Sequence, residues 1–147
     1  MAWKDETIID KALEILEERM QYGETISSPS DTKQYLTLKL AGKEHEVFCC
    51  LFLDNRHRVI SFDELFQGTI DACAVYPREV VKRALEHNAA AIILAHNHPS
   101  GVAEPSQSDQ LITRRIRDAC ELLDIRLLDH FVCGGKNAVS LASRGML

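Results

Sequence analysis

The chain has 147 residues, 46% of them apolar and 27% charged, with a formal net charge of −5, which suits one compact domain with a sizeable core. The negative charge argues against broad binding to phosphate backbones, and no apolar run approaches the roughly 20 residues of a membrane helix. Because the amino terminus is acidic where a signal peptide is basic and then apolar, we expect a cytoplasmic protein.

Apolar spacing and turn-forming residues predict two helices and then two strands in the first half of the chain. They are a helix over about 5–22 ended by Gly23, a helix over about 29–42, and strands over about 46–53 and 58–66 joined by a turn at 54–57. The apolar stripe of the first helix is wide, so we expect that helix to pack on its own domain.

The second half alternates helices with strands. The predicted elements are a helix over about 77–86, a buried strand over about 90–95, a helix over about 106–123, and strands over about 126–132 and 138–141. Such an order predicts an α/β or α+β fold, in which helices cover a mixed sheet.

Two histidines and an aspartate follow the apolar run at 89–95. His96 and His98 come directly after it, and Asp109 follows a return rich in proline and glycine. Alternate residues of an extended chain face the same side with Cβ atoms roughly 7 Å apart, so the two imidazoles can converge on one ion. Zn²⁺ accepts two nitrogens and one carboxylate oxygen and leaves a fourth position to water. The pattern therefore predicts a metal site, although these ligands also suit Fe²⁺, Co²⁺ or Mn²⁺.

Each half of this pattern also has a purely structural interpretation. Ser106 is a good helix N-cap, and Asp109, three residues later, can cap the Ser106 amide in return. A pair of histidines at a strand end can be ordinary surface. The metal site is favoured because both halves fall within fourteen residues.

The spacing His-x-His, seven residues, Ser-x-x-Asp resembles the JAMM motif of MPN-domain metalloproteases. Segments 46–54, 94–101 and 127–132 resemble the RadC-like branch of that family. The resemblance implies a mixed, curved β-sheet flanked by helices, a layout similar to that of cytidine deaminases, with the metal at one end. It also divides the chain into an amino-terminal helix and linker, residues 1–28, and an MPN (JAMM-type) metalloprotease domain, residues 29–147.

The resemblance further implies a zinc-dependent hydrolase that cleaves peptide or isopeptide amide bonds. It assigns the zinc to His96, His98 and Asp109, proton transfer from the attacking water to Glu46, and stabilisation of the oxyanion to the Ser106 hydroxyl. Zinc lowers the pKa of a bound water to about 7 and polarises the carbonyl under attack. A carboxylate within reach can then carry the proton to the leaving amine.

Glu46 has a competitor in Glu44, which would share its face on an extended strand. Periodicity does not separate the two, and His45 between them should point the other way. Glu46 is preferred because it directly precedes an apolar strand, which gives it the better chance of a fixed position.

Five cysteines without Cys-x-x-Cys spacing argue against a disulfide framework or a four-cysteine zinc site. They are Cys49, Cys50, Cys73, Cys120 and Cys133. Cys49, Cys50 and Cys120 fall in apolar patterns and are interpreted as small core residues. Cys133 follows a strand without a feature that would activate its thiol.

Besides His45, three histidines lie outside the predicted ligand set. His57 is interpreted as a turn residue and His87 as a surface residue at a helix end. His130 follows Asp129 in a pair that the RadC-like pattern includes. Two roles stay open for His130: support of the metal ligands, or contact with the substrate.

The resemblance implies a peptide or protein substrate, while the oligomeric state is not set by the sequence. The short segment after Asp109 argues against cleavage of ubiquitin chains. One alternative is a DNA-repair accessory protein, whose contacts would fall on Arg114, Arg115 and Arg117, although a solvated helix face explains them better. The other alternative is a metal-binding domain without turnover.

Overall fold

The structure is a computed structural model that describes residues 5–21, 29–68 and 74–147. Within these ranges every predicted element is present in the predicted order. The elements are α1 (Asp5–Gln21), α2 (Pro29–Leu40), β1 (Val47–Leu53), β2 (Val59–Gln67), α3 (Pro77–Glu86), β3 (Ala91–Asn97), α4 (Gln107–Glu121), β4 (Arg126–Gly134) and β5 (Asn137–Ser140). Gly23, where the first helix was expected to end, lies outside the described residues.

The five strands form one mixed sheet in the order β2-β1-β3-β4-β5. β3 and β4 are parallel and are connected through α4, whereas the other neighbouring pairs are antiparallel. The ladder between β1 and β2 shifts register twice, and such irregularities bend and twist a sheet. The predicted mixed, curved α/β layout is therefore confirmed.

Two cores lie on opposite faces of the sheet, because β1 and β3 are buried along their whole length. One core packs against α1 and α2 and includes Leu16, Leu36, Cys49, Leu51 and Ile93. The other packs against α3 and α4 and includes Cys50, Phe52, Val80, Leu94 and Ile116. Strand alternation places His96 on the α3/α4 side, next to Leu94 in that series.

Helix α1 packs on its own domain, as its apolar stripe predicted. Leu16 is 5% exposed and belongs to the core beneath α2. The Tyr35 hydroxyl donates to the Glu17 carboxylate at 3.2 Å and links the two helices. In the part of the chain that the structure describes, no helix combines the length and apolarity needed to cross a membrane.

The interpretation of the cysteines as core residues is confirmed for Cys49, Cys50 and Cys120, which are buried free thiols. Cys133 is also buried, on the α1/α2 side of the sheet. Burial raises the pKa of Cys133 to about 12, which keeps its thiol protonated. Cys73 lies outside the described residues.

His87 differs from its prediction as a surface residue. It ends α3, but its ring lies over Phe52 with the centroids 4.8 Å apart. Its Nε2 is 2.7 Å from the Asp63 carboxylate, to which the Arg83 guanidinium also donates at 2.8 Å. The side chain therefore ties α3 to β2, a contact between residues distant in sequence. His57 lies in the turn between β1 and β2, as expected.

Candidate metal centre

The candidate site forms where β3 ends and α4 begins. β3 extends two residues beyond its predicted end at Ala95, so that His96 lies inside the strand and is 1% exposed. The strand therefore ends two residues later than expected, and His96, its second-last residue, pairs with Phe48 on one side and Val132 on the other. His98 follows the strand, and the loop after it returns the chain to the amino terminus of α4.

The three predicted ligand residues converge in space. His96 Nε2 is 3.1 Å from His98 Nε2 and 3.1 Å from Asp109 Oδ1. His98 Nε2 is 3.1 Å from Asp109 Oδ2. Ligand atoms around a tetrahedral zinc with bonds of ~2.0–2.2 Å lie about 3.3–3.6 Å apart, so a modest opening of this triangle accommodates the ion.

Glu46 borders the same space. Its Oε1 lies 4.0 Å from His96 Nε2, and Glu46, His96 and His98 form a group that could hold a metal ion. Antiparallel pairing of Phe48 with His96 accounts for this, because it places Glu46, two residues earlier, beside the chain that follows β3. Glu44 is exposed in the turn before β1, so the structure brings Glu46 to the histidines and leaves Glu44 at the surface.

Asn97 holds the backbone around Glu46, a role that the sequence reasoning missed. The Val47 N–H donates to Asn97 Oδ1 at 2.7 Å, and Asn97 Nδ2 donates to the His45 carbonyl at 3.0 Å. One buried carboxamide thus satisfies the backbone groups on both sides of Glu46. Strand alternation is the sequence pattern that could have revealed this role, because it turns Asn97, between His96 and His98, to the opposite face of the sheet.

The loop after β3 fixes the His98 ring. His98 Nδ1 donates to the Val102 carbonyl at 2.9 Å, so the neutral ring presents an unprotonated Nε2. The loop packs directly on Gly134 at the end of β4, where an added Cβ would lie 2.5 Å from the Ala103 nitrogen. Only glycine allows this approach, and the orientation of His98 depends on it.

Ser106 and Asp109 form a capping box at the start of α4. Ser106 Oγ accepts from the Asp109 N–H at 3.0 Å, and Asp109 Oδ2 accepts from the Ser106 N–H at 2.8 Å. The structural interpretation of this pair is therefore confirmed. The Ser106 proton remains available to donate, so its role at an oxyanion stays a prediction.

The site holds Asp109 as a carboxylate. Burial raises the pKa of Asp109, but its polar contacts with His96 and His98 and the hydrogen bond from the Ser106 amide outweigh burial and bring it well below its usual range. The hydrogen bond to Asp109 is also the main reason that the pKa of His98 is raised. Three electron-pair donors repel one another at 3.1 Å, so a cation, either a proton or a metal ion, must lie among them.

Residues 26–146 match the family of RadC-like JAB domains. The chain belongs to this family. This RadC-like JAB domain is 59% identical over 140 residues to a UPF0758 protein of Vibrio cholerae, which covers 95% of the chain and 88% of the relative. It is 58% identical over 142 residues to a UPF0758 protein of Thioalkalivibrio sulfidiphilus, with 97% of the chain and 63% of the relative covered. It is 63% identical over 130 residues to a UPF0758 protein of Alcanivorax borkumensis, with 88% of the chain and 58% of the relative covered. The chain thus spans less than two thirds of the length of the Thioalkalivibrio and Alcanivorax relatives.

His130 lies behind His96 in this RadC-like JAB domain. It is 0% exposed, with Nε2 2.7 Å from His96 Nδ1 and Nδ1 2.6 Å from Thr113 Oγ1. Burial lowers the pKa of His130 well below its usual value. Phe48 stacks on the His96 ring at 5.8 Å and packs edge-on against His130 at 5.4 Å. Of the two predicted roles, this geometry favours support of the ligands. Thr113 was missed, although it lies four residues after Asp109 on the buried stripe of α4.

The arginines that suggested a DNA-binding alternative lie on α4 of the RadC-like JAB domain, where Arg117 borders the buried stripe. Arg114 and Arg115 are exposed. Arg117 lies 3.4 Å from the Asp118 carboxylate and 4.0 Å from that of Glu121. The acidic neighbours offset part of the positive charge that a phosphate backbone would require.

Proposed function

We propose that this RadC-like JAB domain is a zinc-dependent hydrolase that cleaves peptide or isopeptide amide bonds of a protein substrate in the cytoplasm. His96, His98 and Asp109 hold the zinc, Glu46 transfers the proton and Ser106 stabilises the oxyanion. The observation that carries the proposal is the convergence of two imidazole nitrogens and one carboxylate at 3.1 Å.

The donor set fits zinc. Two histidines and one carboxylate are a ligand set of catalytic zinc sites, in which a fourth position stays open. The bound ion acidifies water and polarises the carbonyl oxygen of the scissile amide. Asp109 supplies the single negative charge of the set, and its tie to the amino terminus of α4 keeps that charge in place without a metal.

Glu46 moves the proton in this proposal. Its carboxylate is 14% exposed and borders the ligand triangle 4.0 Å from His96 Nε2. From there it takes a proton from the attacking water and delivers it to the amine as the amide bond breaks. Asn97 keeps the Glu46 backbone fixed during the proton transfer, because its side chain hydrogen-bonds the backbone of His45 and Val47 on either side.

Ser106 completes the set of reacting groups. Its oxygen already accepts from the Asp109 N–H, which fixes the hydroxyl at the mouth of the site. The hydroxyl proton can then donate to the oxygen of the amide as negative charge develops there. This geometry favours hydrolysis of a carbonyl compound over a purely structural metal.

Glu46 also bears on the choice between an enzyme and a metal-binding domain without turnover. Its Oε1 lies 4.0 Å from His96 Nε2, near enough to close a structural zinc site as a fourth ligand or to accept a proton from a bound water. Loss of cleavage with zinc retained in Glu46→Gln would support the enzyme.

The test is cleavage of a library of peptides and lysine-linked isopeptides by the zinc-loaded protein. Glu46→Gln preserves the size of the side chain and removes the base, so we expect zinc to stay bound and cleavage to be lost. Glu44→Gln is the matched control, because Glu44 is exposed before β1, and should retain full activity. His98→Ala should lose the metal itself.

Each contrary result has a distinct meaning. Cleavage by Glu46→Gln at the rate of the unsubstituted protein would remove Glu46 from the mechanism. Stoichiometric zinc without cleavage of any library member would support the metal-binding domain instead. Failure to bind zinc or another divalent metal would overturn the proposal as a whole.

A further inference from the structure

We infer that Thr113 and His130 form a hydrogen-bonded bridge that orients two metal ligands, His96 and Asp109, and fixes the proton on His96. The inference rests on the proposed metal site and adds two positioning residues to it. Neither side chain points into the space between the ligands. Both are 0% exposed and lie behind that space, between β4 and α4.

The direction of the hydrogen bonds begins at Thr113. Its Oγ1 lies 2.6 Å from the Asp109 backbone carbonyl, and a carbonyl oxygen only accepts. The single hydroxyl proton of Thr113 is therefore committed to Asp109. Oγ1 also lies 2.6 Å from His130 Nδ1, so the hydroxyl oxygen accepts there and Nδ1 carries a proton.

The proton on His130 Nδ1 determines the rest of the chain of bonds. The His130 ring is fully buried, and its two partners are neutral groups, an environment that favours the neutral imidazole with a single N–H. Its Nε2 then has a lone pair and accepts from His96 Nδ1 at 2.7 Å. His96 consequently presents an unprotonated Nε2 to Asp109 and His98.

His98 reaches the same tautomer by an independent contact with the Val102 carbonyl. Both imidazoles thus point Nε2 inward and Nδ1–H outward, as metal ligation by Nε2 requires. The outer partner of His96 is a neutral histidine, where a carboxylate or a backbone carbonyl is more usual. The bridge therefore fixes the ring without adding negative charge beside the metal.

The bridge also connects two ligands that come from different elements. A threonine hydroxyl that bonds the carbonyl four residues earlier is common within helices and by itself has no functional meaning. Here the same oxygen also receives the His130 proton, and His130 receives that of His96. The first turn of α4, which carries Asp109, and the end of β3, which carries His96, are held in one arrangement.

The experiment compares Thr113→Val, which preserves shape and removes the hydroxyl, with Thr113→Ser, which restores it. Ile116→Val, on the same buried stripe of α4, is the control for a small change in packing. Zinc affinity is measured by competition with a chromophoric chelator. The His96 tautomer is read from long-range nitrogen–proton NMR spectra of the metal-free and zinc-loaded proteins.

We expect Thr113→Val to bind zinc about ten- to a hundredfold more weakly, the usual effect of losing an outer partner of a metal ligand. Thr113→Ser and Ile116→Val should bind as tightly as the unsubstituted protein. His130→Phe should weaken zinc binding by a similar factor and allow the proton to move between the nitrogens of His96. If His130→Phe does not fold, the comparison of Thr113→Val with Thr113→Ser decides whether the bridge supports zinc binding.

Unchanged affinity in Thr113→Val, with His96 still protonated on Nδ1, would overturn the bridge. So would a His96 proton on Nε2 in the unsubstituted metal-free protein. These readouts do not require turnover, and the tautomer of the metal-free protein does not require zinc. A protein that fails to bind zinc would thus overturn the proposed function and still report on the bridge.

Discussion

Ser106 and Asp109 hold each other across the first turn of α4, the hydroxyl accepting from one backbone amide at 3.0 Å and the carboxylate from the other at 2.8 Å. The same Asp109 oxygen lies 3.1 Å from His98 Nε2. Asp109 is therefore both a helix-capping residue and the carboxylate of the proposed metal site. In that proposal the spacing Ser-x-x-Asp serves both purposes, since a capping residue in the third helical position is held in place before any metal binds.

Substitutions of Asp109 separate these two purposes. Asp109→Asn keeps an oxygen that can accept from the Ser106 amide, so the cap stays in place, while the stability that the charged carboxylate with its lowered pKa contributes near neutrality is lost. Zinc affinity should fall by more than the roughly ten- to hundredfold typical of outer partners, because a charged ligand is lost. Ser106→Ala removes the N-cap oxygen and keeps the Asp109 carboxylate, and it should lower the free energy of unfolding by about 1 kcal/mol. Chemical denaturation and zinc competition measure both quantities. Equal zinc affinity in Asp109→Asn would remove Asp109 from the ligand set.

Asn97→Ala should affect catalysis without releasing the metal. The substitution frees the backbone on both sides of Glu46 and leaves the buried Val47 N–H without its acceptor, at a cost of about 1–3 kcal/mol. Displacement of the base should lower kcat by up to about a hundredfold. Zinc affinity should be unchanged. Asp63→Asn, which lowers stability at another place in the sheet, is the control and should leave kcat intact. Parallel loss of zinc and kcat in Asn97→Ala would argue against a specific effect on Glu46.

Gly134→Ala should disturb the loop that orients His98. The added Cβ would meet the Ala103 nitrogen at 2.5 Å and the Val102 carbonyl carbon at 2.7 Å, so the loop has to move. Because His98 Nδ1 donates to the Val102 oxygen, zinc affinity should fall by about tenfold or more. Gly145→Ala, at φ +68° with open space around it, introduces only backbone strain. Zinc titration should show weaker binding in Gly134→Ala and unchanged binding in Gly145→Ala. Equal zinc affinities in the two variants would show that the packing of the loop on Gly134 does not determine the metal site.

Asp63 gives the fold a predictable dependence on pH. Burial raises the pKa of Asp63, but hydrogen bonds from Ser61, His87 and Arg83 outweigh it, so the net pKa is lowered. A carboxyl with a depressed pKa in the folded state stabilises the protein above its unfolded pKa of ~3.9, and this contribution is lost as the pH falls further. Asp63→Asn should therefore lower the free energy of unfolding by about 1–3 kcal/mol near neutrality.

The difference between the two proteins should narrow as the pH drops below about 4, because the unsubstituted carboxyl then becomes protonated as well. Urea denaturation of both proteins over a series of pH values measures this. A difference that stays constant down to low pH would contradict the assignment to the Asp63 charge.

The local pattern of the sequence was sufficient to predict the elements and to bring together the candidate ligand residues. Apolar spacing located each helix and strand, since burial on one face leaves a period in the sequence. The convergence of His96, His98 and Asp109 was foreseeable because these residues are close in sequence, and their role as metal ligands stays a prediction. Periodicity did not separate Glu46 from Glu44; the family resemblance and the position of Glu46 directly before an apolar strand selected it.

What the sequence did not reveal depends on contacts between distant segments. The bond from the Val47 amide to Asn97 joins residues 50 apart. The position of His130 behind His96 depends on the parallel register of Leu94 with His130, and the extent of β3 depends on strands paired to both of its sides. Pairing of this kind is set by the assembled sheet, whereas periodicity reports only which face is buried.

The most decisive measurement on the ligand set is X-ray absorption at the zinc edge, on protein that carries one equivalent of zinc. We expect light ligands alone, nitrogen and oxygen at ~2.0–2.2 Å with the scattering pattern of two imidazoles, and no zinc retained by His98→Ala. Sulfur at ~2.3 Å, or a His98→Ala protein that keeps its zinc with the same two-imidazole pattern, would contradict the proposed site.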